Sequence, residues 1–316
     1  MLKKLAAVLC LVVLCLGLAT VAEGAASNGT WGNLTWTFED GTLTISGKGE
    51  MPNLESQHSE PISGIKSIVI SDGITSIGNY AFSGCCYDSN INNPDRELIS
   101  ITIPDSVTSI GVGAFYSCDL ASITIPDSVT SIGDNAFDLC TTLKTITIPD
   151  SVTSIGSSAF FQCENLTSVI LPENIITIEK QIFRGCTSLK HISIPEGVTT
   201  IDSSAFYDCT GLESITIPKS LTTIAENAFS GCIDLTHVYY TGNETQFNNI
   251  EVKTGNDKFT AATVTYIYLQ VQTILNHVLK NVILNDETTT ELNVNNDDTV
   301  DVGDIQKIYY DSVSGN

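Results

Sequence analysis

Residues 101–118 read Ile-Thr-Ile-Pro-Asp-Ser-Val-Thr-Ser-Ile-Gly-Val-Gly-Ala-Phe-Tyr-Ser-Cys, and residues 123–140 and 146–163 repeat that stretch with few changes. Written once for the chain, the unit is L-x-x-I-T-I-P-D-S-V-T-S-I-G-x-x-A-F-x-x-C. Its Phe recurs at Phe82, Phe115, Phe137, Phe160, Phe183, Phe206 and Phe229, with spacings of 33, 22, 23, 23, 23 and 23. A Cys keeps step three residues later, at Cys85, Cys118, Cys140, Cys163, Cys186, Cys209 and Cys232. A fixed period of roughly 20–29 residues marks a solenoid, in which each unit buries its apolar side against its neighbours.

The unit also predicts its own local structure. Ile101-Thr102-Ile103 makes a short strand with both Ile inward and the Thr outward, and Pro104 ends it. Val107 to Ile110 is a second extended piece that turns the core around. Gly111 permits the corner, and Ala114-Phe115 fills the convex side. The fold class expected is an α/β repeat solenoid, β-rich, of about seven to eight rungs over residues 65–240. Each rung buries about five or six apolar side chains, at roughly 1.5–3 kcal/mol apiece before entropy. The ten extra residues between Phe82 and Phe115 are Tyr87 to Arg96, polar and Asn-rich, and read as an exposed loop.

The flanks differ. Residues 1–26 have the form of a secretory signal: Lys3 and Lys4, then apolar Leu5 to Ala19, then small residues ending at Ala25 or Ala26. Residues 27–64 form an N-terminal β cap. Leu34, Trp36 and Phe38 alternate with polar residues, Asp40-Gly41 turns, and Leu43 and Ile45 resume, which predicts a hairpin covering the open first rung. Residues 241–267 lose the repeat but keep Phe247, Ile250, Phe259 and Val264, and read as a C-terminal cap. Residues 268–316 form a small helical module.

Composition restricts function. The formal charge is −22, with 36 acidic against 14 basic residues, so nucleic acid and anionic membranes are poor partners. Past the signal, no stretch is long and apolar enough to insert in a membrane. The mature chain is expected to be secreted or cell-surface associated. Eight Cys remain in it, the seven in register and Cys86. Their fixed place beside a buried Phe favours a ladder of reduced thiols, with adjacent Cys85 and Cys86 as the pair open to oxidation.

One stretch has metal-ligand spacing. Asn293, Asn295, Asp297 and Asp304 stand at positions 1, 3, 5 and 12 of an EF-hand-like loop. Thr299 would supply its carbonyl, and Asp301 would act through water. Ca2+ is therefore the expected cofactor. Asn293 replaces the usual Asp, and Asp298 stands where Gly is preferred. The bland alternative is an acidic turn capping a helix. An acidic row follows the strands, at Asp72, Asp105, Asp127, Asp150, Glu173 and Glu196. It is either an edge for cations and basic partners or a solvated turn position copied by duplication.

The outward strand face is a Ser/Thr array that becomes less uniform toward its C-terminal end. His191, Ser193, Ser214, Thr216, His237, Tyr239 and Tyr240 collect there and form the candidate ligand surface. The bland alternative is that Thr is simply a good exposed strand residue. The four His form no zinc spacing, and neither a nucleophile elbow nor a phosphate loop is present. The chain reads as non-enzymatic.

With those residues on the page, the repeat I-T-I-P-D-S-V-T-S-I-G-x-x-A-F-x-x-C resembles the BspA-like leucine-rich repeat family of bacterial surface proteins. The segments 34–52 and 238–250 are similar to that family's ends. The resemblance implies a curved leucine-rich solenoid, adhesion to host or microbial surface proteins or glycans, and no catalytic residues. Residues 269–316 resemble a type I dockerin, whose helix Thr273 to Leu279 and second calcium loop are present while the first loop has lost its acids. That implies a cohesin-type scaffold protein as partner. The combined expectation is a secreted binding protein anchored through its tail. The alternative is a structural spacer or self-associating surface protein with a calcium-stabilised tail and no specific ligand.

Overall fold

The structure is a computed structural model that describes residues 27–54, 65–84 and 99–267. The signal segment, Cys85 and Cys86, the loop Tyr87 to Arg96, the dockerin-like helix and the calcium loop lie outside the described residues. Within them the chain winds as a succession of short strands, each turn giving one strand to a longer parallel ladder and one to a shorter ladder. The longer ladder runs through Ser67–Ile70, Ile99–Thr102, Leu120–Ile123, Thr145–Thr147, Ser168–Ile170, His191–Ser193, Ser214–Ile217 and His237–Tyr240. The shorter ladder is built of pieces such as Ser109–Ile110, Ser131–Ile132 and Ser154–Ile155, paired in register from turn to turn.

Nine strands in the shorter ladder give nine turns among the described residues, more than the seven to eight read from the sequence. The additional turns are at the ends, where the caps themselves wind. At the N-terminus Leu34–Glu39 and Thr42–Ser46 form the expected hairpin, with Asp40 and Gly41 at φ 48° and 80° in its two-residue turn. A further strand, Ser27–Trp31, pairs antiparallel to Leu34–Glu39. Thr42–Ser46 then pairs in parallel with Ser67–Ile70, so the cap is a continuation of the longer ladder.

The C-terminal segment is also a turn, lengthened rather than lost. Glu251–Val252 pairs with Thr223–Ile224, and Thr263–Tyr266 pairs with His237–Tyr240, both in parallel. Two short helices, Glu244–Phe247 and Asp257–Ala261, occupy the added length. The first begins at a capping box between Asn243 and Gln246.

The core follows the repeat. Ile101 and Ile103 are buried while Thr102 is exposed, as period-two alternation requires. Phe82, Phe115, Phe137, Phe160, Phe183, Phe206, Phe229 and Phe259 stack face to face at 5.0–5.6 Å between ring centroids. Trp31 closes the N-terminal end, edge-on to Phe82 at 6.4 Å. The Ser and Thr of the motif also have structural work. Ser106, Ser128, Ser151 and Ser220 each donate to a main-chain carbonyl of the preceding turn at 2.6–2.8 Å. Gly111 serves the corner for a different reason than the one read from sequence. Its φ is not positive; a Cβ there would lie 2.7 Å from the Asn79 amide of the preceding turn.

Candidate functional site

Four neighbouring strands, His191–Ser193, Ser214–Ile217, His237–Tyr240 and Thr263–Tyr266, carry the candidate ligand surface. Their in-register pairing sorts the outward side chains into two rows. One row runs His191, Ser214, His237, Thr263, and the other Ser193, Thr216, Tyr239, Thr265. Ile192, Ile215 and Val238, between the rows, are buried. Parallel strands lie about 4.8 Å apart, so six of the seven sequence-derived residues form one contiguous patch. Thr263 and Thr265 belong to it as well. Sequence reading missed them because the repeat motif stops at Tyr240.

Tyr240 is a correction. It is fully buried, at 0% exposure, with its ring edge-on to Phe247 at 5.3 Å and to Tyr266 at 6.3 Å. The reason is strand parity: Tyr239 faces out, so Tyr240 faces in and pairs in register with Ile217, a core position. Aligning Tyr240 with Ile217 in the repeat would have shown this.

The patch is locally ordered by its own hydrogen bonds. His191 Nδ1 and the Ser214 hydroxyl share one at 2.7 Å, and His237 Nδ1 shares one with the Thr236 hydroxyl at 2.9 Å. The His237 ring is nearly parallel to Tyr239, 17° off plane and 6.3 Å between centroids. Lys190 and Glu213 pair at 3.1 Å beside the first row. The His191 and Ser214 pair lies on an open strand face, so nothing encloses a reacting group there. What the rows offer is a flat set of imidazole, phenol and hydroxyl groups, which suits hydrogen bonding to a polar ligand.

A second concavity lies on the same strand face nearer the N-terminus. It has a volume of about 440 Å³ and is lined by Ser122, Thr124, Asp127, Thr145, Thr147 and Pro149. It opens where the longer ladder is interrupted, between Leu120–Ile123 and Thr145–Thr147. The acidic row is exposed throughout, and within it Asp150 accepts a hydrogen bond from the Glu173 amide at 3.0 Å. At that position the carboxylate ties one turn to the next, which favours the structural reading. Among the described residues no cluster of His, Cys, Asp or Glu is arranged to hold a metal ion, and the loop Asn293 to Asp304 is outside them.

A parallel β-solenoid with a Phe stack, a Cys ladder and an open polar strand face defines a solenoid repeat protein. The model of the BspA type leucine rich repeat region matches residues 61–160, 92–209 and 154–285, and the chain belongs to that family. No curated protein matches it. A leucine-rich repeat protein from Bacteroides ovatus is 28% identical with a TM-score of 0.51, covering 71% of this chain. This chain spans 66% of that protein's length. A leucine rich cell surface protein from Faecalibacterium prausnitzii is 23% identical with a TM-score of 0.37, covering 74% of this chain and 100% of that one. A leucine-rich repeat protein from Eubacterium ventriosum is 23% identical with a TM-score of 0.41, covering 77% and 79%. No helix of the described residues is long and apolar enough to cross a membrane.

Proposed function

We propose that the protein is a secreted or cell-surface binding protein whose strand face near the C-terminal end of the solenoid engages a protein or glycan ligand. The observation that carries this reading is the patch of His191, Ser214, His237 and Tyr239. In a chain whose turns are close copies, His191, His237 and Tyr239 depart from Ser and Thr, and the register brings them together around Ser214. A binding surface needs preformed shape more than reactive groups, and a stacked solenoid supplies it.

The tail has a separate role in this reading. Residues 268–316 dock onto a cohesin-type scaffold, stabilised by Ca2+. The side chains of Asn293, Asn295, Asp297 and Asp304 and the carbonyl of Thr299 are the ligands, with Asp301 acting through water. Six oxygen donors suit a hard cation. What supports it is the loop spacing together with the helix-forming residues that flank it.

The test is a pull-down from the parent organism's cell-wall and secreted fractions, with calcium and with chelator. Chains 27–316 and 27–266 are compared, together with His191→Ala/Tyr239→Ala in each. A scaffold retained by the longer chain alone, and only with calcium, supports docking through the tail. A ligand retained by both lengths and lost in the double variant supports the strand face. Retention indifferent to that variant points instead to a spacer without a specific ligand.

A further inference from the structure

Arg184 is held between two aromatic rings from adjoining turns, with its guanidinium carbon 5.5 Å from the Phe161 centroid and 4.6 Å from that of Tyr207. All three residues directly follow a core Phe and are half-buried. This row is on the Phe corner, away from the strand face discussed above. Elsewhere in the row stand Tyr116, Asp138 and Ser230, so the aromatic, cationic, aromatic sequence is not a repeat feature.

Covering both faces of a guanidinium leaves its N–H donors free only at the edge, in one plane. Those donors meet no protein acceptor: the Arg184 side chain has neither a hydrogen bond nor an ion pair among the described residues. This occurs in a chain with 36 acidic residues and only two arginines, Arg96 and Arg184. An unpaired, aromatic-flanked guanidinium is a preset fork for a carboxylate, which accepts two parallel N–H bonds from it.

The setting narrows the ligand. Lys180 lies on the same corner, and its carbonyl accepts from the Ser158 amide at 2.9 Å, while the Gln181 amide donates to Ser203 at 3.1 Å and the Gln162 amide donates to Arg184 at 2.7 Å. Those main-chain links place on this corner the hydroxyls of Ser158 and Ser203, the side-chain amides of Gln162 and Gln181 and a second cation, with the carboxyls of Glu179 and Asp202 beside them. They match sugar hydroxyls. A peptide would instead want a strand edge, and here the main-chain groups are already paired between turns. A net charge of −22 opposes long polyanions and favours a single acid group at a chain end.

We infer that Phe161, Arg184 and Tyr207 form a second binding site, specific for a glycan that ends in a carboxylate-bearing sugar. The site is independent of the strand-face patch, and its failure would leave that reading untouched.

The test is titration of chain 27–316 with 3′-sialyllactose and with lactose, followed by calorimetry or ligand-observed NMR. The acid sugar should bind about tenfold or more tightly than lactose. Arg184→Lys should lose that margin, because a point charge cannot replace the fork, and His191→Ala/Tyr239→Ala should keep it. Tyr207→Leu, which leaves the charge and most of the packing, should weaken binding several-fold at an unchanged melting temperature. No binding of sialyllactose, equal binding of lactose, an unaffected Arg184→Lys, or equal binding of N-acetylglutamate amide would each overturn the inference.

Discussion

The Cys186 thiol donates to the Phe160 carbonyl at 3.2 Å, and the same link joins six consecutive turns each to the one before it. Cys118, Cys140, Cys163, Cys209 and Cys232 donate to Phe82, Phe115, Phe137, Phe183 and Phe206 at 2.8–3.1 Å. The Phe carbonyl at each corner is thereby satisfied without water. The Cys of the motif is a small apolar filler whose thiol makes this contact, and none of the six is in a disulfide.

Those thiols should be inert in the folded protein. Burial raises the Cys186 thiol well above its ordinary value and pushes Cys232 up to about 12. Thiolate, the reactive form, is therefore scarce at pH 8. Chain 27–316 with Cys85→Ser and Cys86→Ser should show no fast reaction with Ellman's reagent, and full reaction of the six only on denaturation. The unfolded thiols ionise near 9.0 while the folded ones stay protonated. The native state then binds more protons at higher pH, so stability should fall as pH rises above about 9. A rapid native burst would show the ladder to be open.

The Phe stack should report coupling between neighbours. Phe160 lies 5.3 Å from Phe137 and 5.6 Å from Phe183. Phe160→Ala should cost about 3–5 kcal/mol in a denaturant titration. Phe160→Ala with Phe183→Ala should depart from additivity, since the two share one cavity, whereas Phe115→Ala with Phe206→Ala should add. Additive behaviour in both pairs would mean that the stack contributes only area burial.

The interior of this fold is legible because a single period dictates it. Once Phe82 to Phe229 are aligned, strand parity, the inward Ile and the corner Phe all follow. Tyr240 was also decidable, since it aligns with Ile217. So was the Arg184 sandwich, because Phe161, Arg184 and Tyr207 are spaced by 23 residues. The last turn was not legible. Phe259 stands 30 residues after Phe229, and no Cys follows it, so the motif fails there although the geometry continues. Pairing of Thr263 and Thr265 into the ligand rows depends on that added turn and is a property of three dimensions only.

Asp138 should make stability pH-dependent in the opposite sense from an ordinary acid. It is buried, its Oδ2 accepts from Asn135 Nδ2 at 2.7 Å, and its Oδ1 has no partner. Burial pushes it up to about 6, against a small opposing effect of the Asn135 bond. A raised folded value means the native state holds its proton after the unfolded chain has released it. The stability it contributes is present below about pH 4 and is lost as pH rises through about 6. Asp138→Asn should melt higher than wild type at pH 7, with the gap closing by pH 4. A gap independent of pH would place the effect in packing instead.

Asn256 ends the solenoid, and its amide shows how. In each earlier turn the corner Phe amide donates to a main-chain carbonyl of the next, as Phe206 does to Ala228 at 2.8 Å. Phe229 has no regular turn beyond it, and its amide donates to Asn256 Oδ1 at 2.9 Å. The same side chain donates through Nδ2 to the Ala225 and Lys253 carbonyls, each at 2.9 Å. A single buried amide therefore substitutes for the main-chain acceptor that a regular turn would supply. Asn256→Ala should cost about 1–3 kcal/mol by leaving the Phe229 amide unsatisfied. Asn256→Asp keeps the acceptor but turns both remaining bonds into repulsions between oxygens, so it should be at least as damaging at pH 7 and recover in acid. Hydrogen exchange separates this from a general loss of packing. The Phe229 amide should lose protection in both variants while the Phe160 amide, several turns away, keeps it, because stability in a solenoid passes only between neighbours.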